Sequence, residues 1–252
     1  MNYVDPDAYD QWDGELRSAE ADTKFYTQLA KKQGYKILGS FLGEDAHRDN
    51  VRKAFQNAIN FAAPGDTVFV AYSGHGNQYK KNGRLYESYC LYDGQFTEAE
   101  LRNLIAKMRD GVRVLMVLDC CHAGGFDRDM LAANLSANDF RPKSMPRDVS
   151  MNLDPLDAKG EFAHRKVLSM KGKLVKWLVA CEKTQTAMDG AEHGLFTASL
   201  LKHSFARDAA TEGVTYKAMI EKSAELCSPY QTPQLKNNTK SAKFSDLEKA
   251  FT

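Results

Sequence analysis

The fold of this 252-residue chain is constrained most by short apolar runs that alternate with longer amphipathic stretches. The runs are rich in Val, Leu and Phe and lack the strict alternation of half-solvated strands. They are Lys36–Leu42, Thr67–Tyr72, Val112–Leu118 and Trp177–Cys181. Runs of this kind are typical of strands buried on both faces of a parallel sheet.

The stretches around these runs carry apolar residues at helical spacing. They are Ala19–Lys32, Asp49–Phe61, Glu98–Met108 and Leu195–Phe205. Strand–helix–strand alternation predicts an α/β fold, with a mostly parallel central sheet and helices on both faces. Leu85–Tyr92 is interpreted as a small hairpin strand outside that sheet.

Composition excludes several classes of protein. Lys and Arg total 34 against 33 Asp and Glu, a net charge of +1, which argues against a nucleic-acid partner or a polybasic membrane surface. No segment approaches the ~18 apolar residues of a membrane span, and the first residues do not resemble a signal peptide. The five cysteines are an odd number and include the adjacent Cys120 and Cys121, so a disulfide framework is disfavoured. We therefore expect reduced thiols and a cytoplasmic protein.

Unusual polar groups follow two of the predicted strands. One strand runs into Ser73-Gly74-His75-Gly76 and another into Asp119-Cys120-Cys121-His122. Because functional groups gather past the carboxyl ends of parallel strands, a cysteine and an imidazole are expected to lie close together there, the imidazole exposed at the sheet edge. A Cys–His pair is the minimal device for nucleophilic catalysis, and the N–H groups of Gly76 and Cys121 are candidate oxyanion donors.

Other interpretations of these residues stay open. The cysteines could be small buried hydrophobic residues with His75 in a turn, and His122 competes as the base. A general thiol hydrolase or transferase would use the same dyad. A cysteine phosphatase is excluded because Phe126 and Asp127 stand where its arginine would be. Consecutive Cys and His residues cannot all face one zinc ion, and no phosphate-binding loop is present.

The two motifs resemble those of caspase-like cysteine peptidases, particularly the metacaspases and their bacterial relatives. Four further stretches agree with that family: Cys90–Gly94, Gln185–Ala187, Gly194–Thr197 and Pro229–Pro233. The resemblance covers residues 2–235 and implies one three-layer caspase-like domain over residues 1–252. Its parts would be a large-subunit-like region (1–131), a variable basic loop (132–173) and a small-subunit-like region (174–252).

When the catalytic residues of the family are matched to this sequence, the resemblance implies that Cys121 is the nucleophile and His75 the general base. Cys120 stands in place of the usual serine. It also implies a basic-residue specificity pocket formed by Asp22, Ser73 and Asp119. Paired carboxylates select an ammonium or guanidinium group, so cleavage of proteins or peptides after Arg or Lys is expected. The alternative for Asp22 is a solvated residue on the first helix.

Residues 132–173 form a long basic stretch without a clear pattern of regular structure. Caspase-like enzymes are often cut in this region during maturation, which makes self-cleavage after Arg147, Arg165 or Lys166 a hypothesis. The alternative is a solvated charged loop. The family also implies a monomer. The alternative to a protease is a catalytically silent homologue that binds or regulates partner proteins.

The chain also departs from the family. Relatives open with an apolar strand ending in Gly-Ile-Asn, whereas this chain begins Met1-Asn2-Tyr3. The resemblance therefore predicts either a sheet that is short of one central strand or another segment in that place.

Many metacaspases require calcium, and here the expected acidic ligands are replaced. The family's Asp-Asp pair corresponds to Glu98-Ala99, and a second expected Asp corresponds to Tyr86. Calcium prefers six to eight oxygen ligands, so these losses weaken such a site. We expect no cofactor and no metal, and peptidase activity that is equal in EGTA and in millimolar calcium. A strict calcium requirement in a fluorogenic peptide assay would contradict this expectation.

Overall fold

A computed structural model describes residues 1–81, 84–121, 140–153, 168–202, 214–238, 244–246, 248 and 250. The predictions made for His122, Arg165 and Lys166 lie outside these residues. In chain order, the strands described are β1 (Thr67–Ser73), β2 (Gly76–Lys81), β3 (Arg84–Leu91), β4 (Gly94–Thr97), β5 (Arg113–Asp119), β6 (Arg141–Pro142), β7 (Leu174–Val179), β8 (Met188–Asp189) and β9 (Gln234–Asn237). The α-helices described are α1 (Ala19–Lys32), α2 (Arg48–Phe61), α3 (Glu98–Ala106), α4 (Arg147–Asn152), α5 (Leu195–Leu200) and α6 (Tyr216–Cys227).

The central sheet has the strand order β1-β5-β7-β9. The first three strands are parallel and β9 is antiparallel, which confirms the predicted mostly parallel sheet. In the pairing of β1 with β5, Thr67 lies opposite Arg113 and Ser73 lies opposite Asp119. The two strands therefore end level with each other.

Strand β5 is buried on both faces, as its apolar sequence predicts. Leu115 and Val117 pack in a core with residues of α1, α5 and α6. Val114, Met116 and Leu118 pack in a second core with residues of α2 and α3. Because neighbouring residues of a strand point to opposite faces, this one strand joins the two cores of a three-layer α/β fold.

Two smaller sheets flank the central one. Strands β2, β3 and β4 form an antiparallel sheet, which confirms the predicted hairpin strand outside the main sheet. Strands β6 and β8 form a two-stranded antiparallel pair. The basic stretch thus contains regular structure at β6 and α4, contrary to the expectation of an irregular loop, because β6 finds a backbone partner in β8.

The predicted strand at Lys36–Leu42 is wrong. These residues are irregular and are followed by a 3-10 turn at Gly43–Asp45. The apolar side chains of the run are instead partly buried by packing: Leu38 against the core of α2 and α3, and Phe41 against a cluster of N-terminal residues. The run therefore buries part of its hydrophobic surface without joining the sheet.

Strand β1 is an edge strand among the described residues. An apolar cavity of about 810 Å³ lies beside it, lined by β1, α1, α2 and residues 33–41. Because β1 borders this cavity, the β1 residues Thr67 to Tyr72 are only half-buried. In the described part of the chain, no other segment takes the place of the family's first strand. The strand predicted at Trp177–Cys181 lies earlier, at Leu174–Val179.

Helix α3 leads into β5 and begins with a capping box. The Thr97 hydroxyl accepts a hydrogen bond from the Glu100 N–H at 3.1 Å, and the Glu100 carboxylate accepts one from the Thr97 N–H at 3.3 Å. Substitution Thr97→Ala should lower the free energy of unfolding by about 1 kcal/mol, because a helix-terminal donor loses its partner.

The matched control is Thr23→Ala within α1, where the hydroxyl donates to the Ala19 carbonyl of its own helix. Alanine has the higher helix propensity, so this change should be near neutral. Urea unfolding of both variants checks the comparison. Equal destabilisation by the two substitutions would argue against the capping role.

Candidate active site

The level ends of β1 and β5 bring the two predicted catalytic motifs together. His75 lies two residues beyond β1, and Cys121 lies two residues beyond β5. The backbones touch at this point, because a Cβ atom built on Gly76 would overlap the carbonyl oxygen of Cys121. Glycine is therefore the residue that allows the His75 loop to approach the Cys121 loop this closely.

The imidazole of His75 is held by the N-terminal segment. Its Nε2 lies 3.0 Å from the carbonyl oxygen of Gly14, and the Trp12 ring lies edge-on at a centroid distance of 4.6 Å. Since a carbonyl oxygen only accepts, the neutral ring carries its proton on Nε2, and Nδ1 is the basic nitrogen. His75 is only 5% exposed, so the expectation of an exposed imidazole is wrong. The cover comes from residues far away in sequence, which a local pattern does not reveal.

The adjacent cysteines face opposite sides of the sheet. Cys120 packs in the core of α2 and α3, where burial raises the pKa of its thiol. Cys121 lies on the other side, and its Sγ donates to the carbonyl oxygen of Gln185 at 2.9 Å. The Cys181 thiol donates to the same carbonyl at 3.4 Å, and its hydrogen bond with Cys121 together with burial raises its pKa. Of the two candidate nucleophiles, Cys121 is therefore the one on the side of the Gln185 loop, and Cys181 is its neighbour.

The three residues predicted to form a specificity pocket lie together. Asp22 comes from α1, Ser73 from the end of β1 and Asp119 from the end of β5. All three are at most 2% exposed, which excludes a solvated Asp22. The Ser73 hydroxyl donates to the Asp22 carboxylate at 2.7 Å. The result is a buried, acidic pocket.

Lys143 fills this pocket. Its Nζ lies 3.0 Å from Asp22, 3.2 Å from Asp119 and 2.9 Å from the Ser73 hydroxyl, and its side chain is fully buried. Although burial favours the neutral amine, the two carboxylates raise the pKa of Lys143. The sequence marks Lys143 only as one basic residue of the 132–173 stretch, and no local signal distinguishes it from its neighbours.

Residues after β8 complete the pocket walls. Asp22 accepts hydrogen bonds from His193 Nδ1 at 2.9 Å and from the Gly194 N–H at 3.1 Å. Asp119 accepts from the N–H and the hydroxyl of Thr197, at 3.1 and 2.6 Å. Burial alone would raise the pKa of Asp22, but Lys143 and the hydrogen bonds from His193 and Ser73 lower it to about 2. At Asp119 burial dominates and raises the pKa.

The predicted oxyanion donors meet at one oxygen atom. The N–H groups of Gly76 and Cys121 both donate to the carbonyl oxygen of Lys143, at 3.1 and 3.2 Å. A carbonyl held by two converging backbone donors has the environment that stabilises a developing oxyanion. One residue, Lys143, thus presents its ammonium group to the acidic pocket and its carbonyl group to the two N–H donors.

The residues that correspond to the family's calcium ligands do not fit that ion. Glu98 forms an ion pair with Arg102 at 3.2 Å, and a tyrosine stands at position 86. Within the described residues, no cluster of three His, Cys, Asp or Glu side chains could hold a metal. Over the same residues, no helix is both long and apolar enough to cross a membrane.

Comparison with known proteins identifies the family. The model of the family described as "Caspase domain" matches residues 4–245. The chain belongs to this caspase-domain family. A crystal structure of protein GSU0716 from Geobacter sulfurreducens has a TM-score of 0.83 and 27% sequence identity, covering 98% of this chain and 93% of that one. The caspase-like fold expected from the resemblance is therefore confirmed.

Curated relatives of this caspase-domain chain are metacaspases. Metacaspase-2 of Trypanosoma brucei brucei is 34% identical over 86 residues, 31% of this chain and 25% of that protein. Metacaspase-3 of Trypanosoma cruzi is 27% identical over 178 residues, 67% of this chain and 45% of that protein. Metacaspase-1 of Mycosarcoma maydis is 25% identical over 268 residues, 89% of this chain and 67% of that protein. The chain therefore matches a quarter to less than half of the length of the two trypanosome relatives.

The contact between His193 and Asp22 should make stability depend on pH. The hydrogen bond to Asp22 raises the pKa of His193 above its ordinary value of 6.5. The stability gained from the protonated ring is therefore complete below pH 6.5 and is lost as the pH rises through the raised pKa. The variant His193→Gln still donates a hydrogen bond but carries no charge. Wild type should exceed this variant in stability at pH 5.5 by more than at pH 8.5.

Urea unfolding of both proteins at the two pH values measures this difference. If the gap between wild type and His193→Gln were constant or grew toward pH 8.5, the raised pKa would be contradicted. Since the His193 ring is partly exposed, added salt should reduce the gap at low pH.

Proposed function

We propose that this protein is a cysteine endopeptidase that cleaves peptide bonds after Lys or Arg, with Cys121 as nucleophile and His75 as general base. The observation that supports it is the placement of Lys143. Its ammonium group lies between Asp22 and Asp119, while its carbonyl oxygen accepts from the N–H groups of Gly76 and Cys121. This is the arrangement that a bound substrate residue with a basic side chain would need.

The first chemical step is proton transfer. The Gly14 carbonyl keeps the His75 proton on Nε2, so Nδ1 is available to take the proton of the Cys121 thiol. The thiolate then attacks the substrate carbonyl carbon, and the oxygen becomes an oxyanion stabilised by two N–H groups. Protonated His75 donates its proton to the leaving amine, and water hydrolyses the thioester that remains. The chain's own residues supply every group in this sequence, so we propose that no cofactor takes part and that calcium is not required.

The acidic pocket determines the residue on the acyl side of the bond. A cation that enters the pocket exchanges water for two carboxylates and the Ser73 hydroxyl, contacts that an uncharged side chain leaves unmade. An aspartate there would face two carboxylates in a buried site and would be repelled. The pocket therefore discriminates by the sign of the side chain's charge.

Peptide hydrolysis tests the assignment. Substrates with Arg or Lys before the scissile bond should be cleaved and those with Asp should not. Asp119→Asn should reduce kcat/KM for Lys peptides by roughly 100-fold or more, because a buried contact to the cation is lost. Cys121→Ala should be inactive. The matched carboxylate control is Asp110→Asn, since Asp110 pairs with Lys173 at an exposed site.

Cleavage of Asp peptides alone would refute the pocket assignment. Labelling by an irreversible lysyl or arginyl ketone separates an active enzyme from a silent homologue, since only a working thiolate reacts. Absence of labelling in a folded protein with Cys121 intact would favour the silent homologue. A monomeric state and a cytoplasmic location stay predictions from the sequence.

A further inference from the structure

The wall of the acidic pocket contains an ionisable side chain, His193, that has no part in the proposed chemistry. Its Nδ1 lies 2.9 Å from one carboxylate oxygen of Asp22, and the other oxygen of that carboxylate lies 3.0 Å from the Nζ of Lys143. One carboxylate is therefore placed between the cation in the pocket and an imidazole ring. A change in the charge of the ring acts on the same anion that holds the cation.

The position of the His193 ring is fixed by its neighbours. The Gly190 N–H donates to the His193 carbonyl at 3.2 Å, and the Gly194 N–H donates to both oxygens of Asp22, at 3.1 and 3.2 Å. Phe25, three residues after Asp22 on α1, lies edge-on to the ring at a centroid distance of 6.1 Å. The side chain is nevertheless 25% exposed, so the ring can exchange a proton with solvent while it stays against Asp22.

Titration of His193 changes the charge of the pocket wall and leaves its shape unchanged. Because a carboxylate only accepts, Nδ1 donates to Asp22 in the neutral ring and in the protonated ring alike. The additional proton binds Nε2. Asp22 stays ionised throughout, since its pKa is about 2. The hydrogen bond is thus common to both states, and the states differ by one positive charge.

The charges around the ring oppose one another. Among the described residues they come from three places: Asp22 on α1, the adjacent Glu192, and Lys143 directly after β6. The two carboxylates favour the protonated ring, whereas burial and Lys143 disfavour it, and the hydrogen bond to Asp22 leaves the pKa of His193 raised. A cation in the pocket and a proton on His193 therefore disfavour each other. Because such coupling is reciprocal, protonated His193 weakens the binding of a cation in the pocket.

From this arrangement we propose that His193 determines how strongly the pocket prefers Lys or Arg, with a strong preference when the ring is neutral and a weaker one when it is protonated. This inference rests on the proposed function. With a neutral ring, the substrate cation is the only positive charge on the Asp22 carboxylate. With a protonated ring, two positive charges share it. An uncharged side chain of the same length is indifferent to this change.

Two peptides that differ only in Lys or norleucine before the scissile bond test the proposal. Norleucine has nearly the length of Lys without the ammonium group, so the ratio of the two kcat/KM values isolates recognition of the charge. Titration of Cys121 and His75 affects both peptides and cancels in the ratio. For wild type the ratio should rise about fivefold from pH 6.0 to pH 9.0, the lower end of the range for coupled sites. The rise should come from a lower KM for the Lys peptide.

Three variants distinguish the charge of His193 from its hydrogen bond. His193→Gln keeps a donor but carries no charge, so its ratio should stay high at both pH values. His193→Arg carries a permanent charge, so its ratio should stay low at both. The matched control is His47→Gln, since His47 pairs with Asp93 at 3.2 Å outside the acidic pocket. This control should follow the pH profile of wild type.

A second measurement does not depend on peptidase activity. Titration of the His193 imidazole by NMR should give wild type a pKa above the ordinary value of 6.5. In Lys143→Met the same pKa should be higher still, because the opposing cation is removed. The wild-type value needs no variant, so this measurement stands even if Lys143→Met fails to fold.

The outcomes separate this inference from the proposed function. If wild type cleaves the Lys peptide but the ratio is the same at both pH values, or if His193→Gln keeps the wild-type profile, the role of His193 is overturned and the peptidase function stands. If neither peptide is cleaved, the proposed function fails, and the NMR titration alone decides the coupling. A wild-type pKa at or below 6.5, or an equal pKa in folded Lys143→Met, would overturn that coupling.

Discussion

The buried ammonium group of Lys143 between Asp22 and Asp119 is the interaction on which the site depends. Charges taken out of water are tolerated only when they are paired and hydrogen-bonded, and removing one partner leaves an uncompensated buried charge. Here the ammonium contacts two carboxylates and a hydroxyl, and the carboxylates accept further hydrogen bonds from residues 193–197. Four separate segments of the chain are tied to one cation: α1, the ends of β1 and β5, and the region after β8.

The parallel register of β1 and β5 explains why these groups meet. Ser73 lies opposite Asp119, so the pocket residues stand at the same level, and His75 and Cys121 follow two residues later on each strand. The acidic pocket and the proposed catalytic pair are therefore separated by two residues along the same two chain segments. This spacing lets one residue place its side chain in the pocket while its carbonyl reaches the N–H groups of Gly76 and Cys121. The register of β1 and β5 therefore sets the distance between the acidic pocket and the N–H groups of Gly76 and Cys121.

Much of this arrangement could be predicted from the sequence because it depends on strand ends. The apolar run before Asp119 predicts a strand, and its end fixes where Cys121 emerges. The same kind of pattern predicts a strand at Lys36–Leu42, and this prediction is wrong, because an apolar run indicates burial of its side chains and not pairing of its backbone. The burial of His75 was missed because Trp12 and Gly14, which cover it, lie more than sixty positions earlier. Lys143 was missed as an occupant for a related reason: a basic residue in a basic stretch gives no sign of the pocket it enters.

The two carboxylates of the pocket have unequal roles, which follows from what surrounds each of them. Asp22 accepts hydrogen bonds from His193, Ser73 and Gly194 besides its contact with Lys143, and its pKa is lowered to about 2. Asp119 is equally buried, and burial together with the nearby Asp22 carboxylate raises its pKa in spite of Lys143. Asp22 is thus the carboxylate that is ionised most readily and attracts the cation. A cation in the pocket favours the ionised form of Asp119, and ionised Asp119 in turn binds the cation more tightly. Through this linkage the pocket carries its largest negative charge when a basic side chain is in it. The same linkage stabilises the ammonium group of Lys143 in the pocket, and it supports the proposed specificity for Lys or Arg.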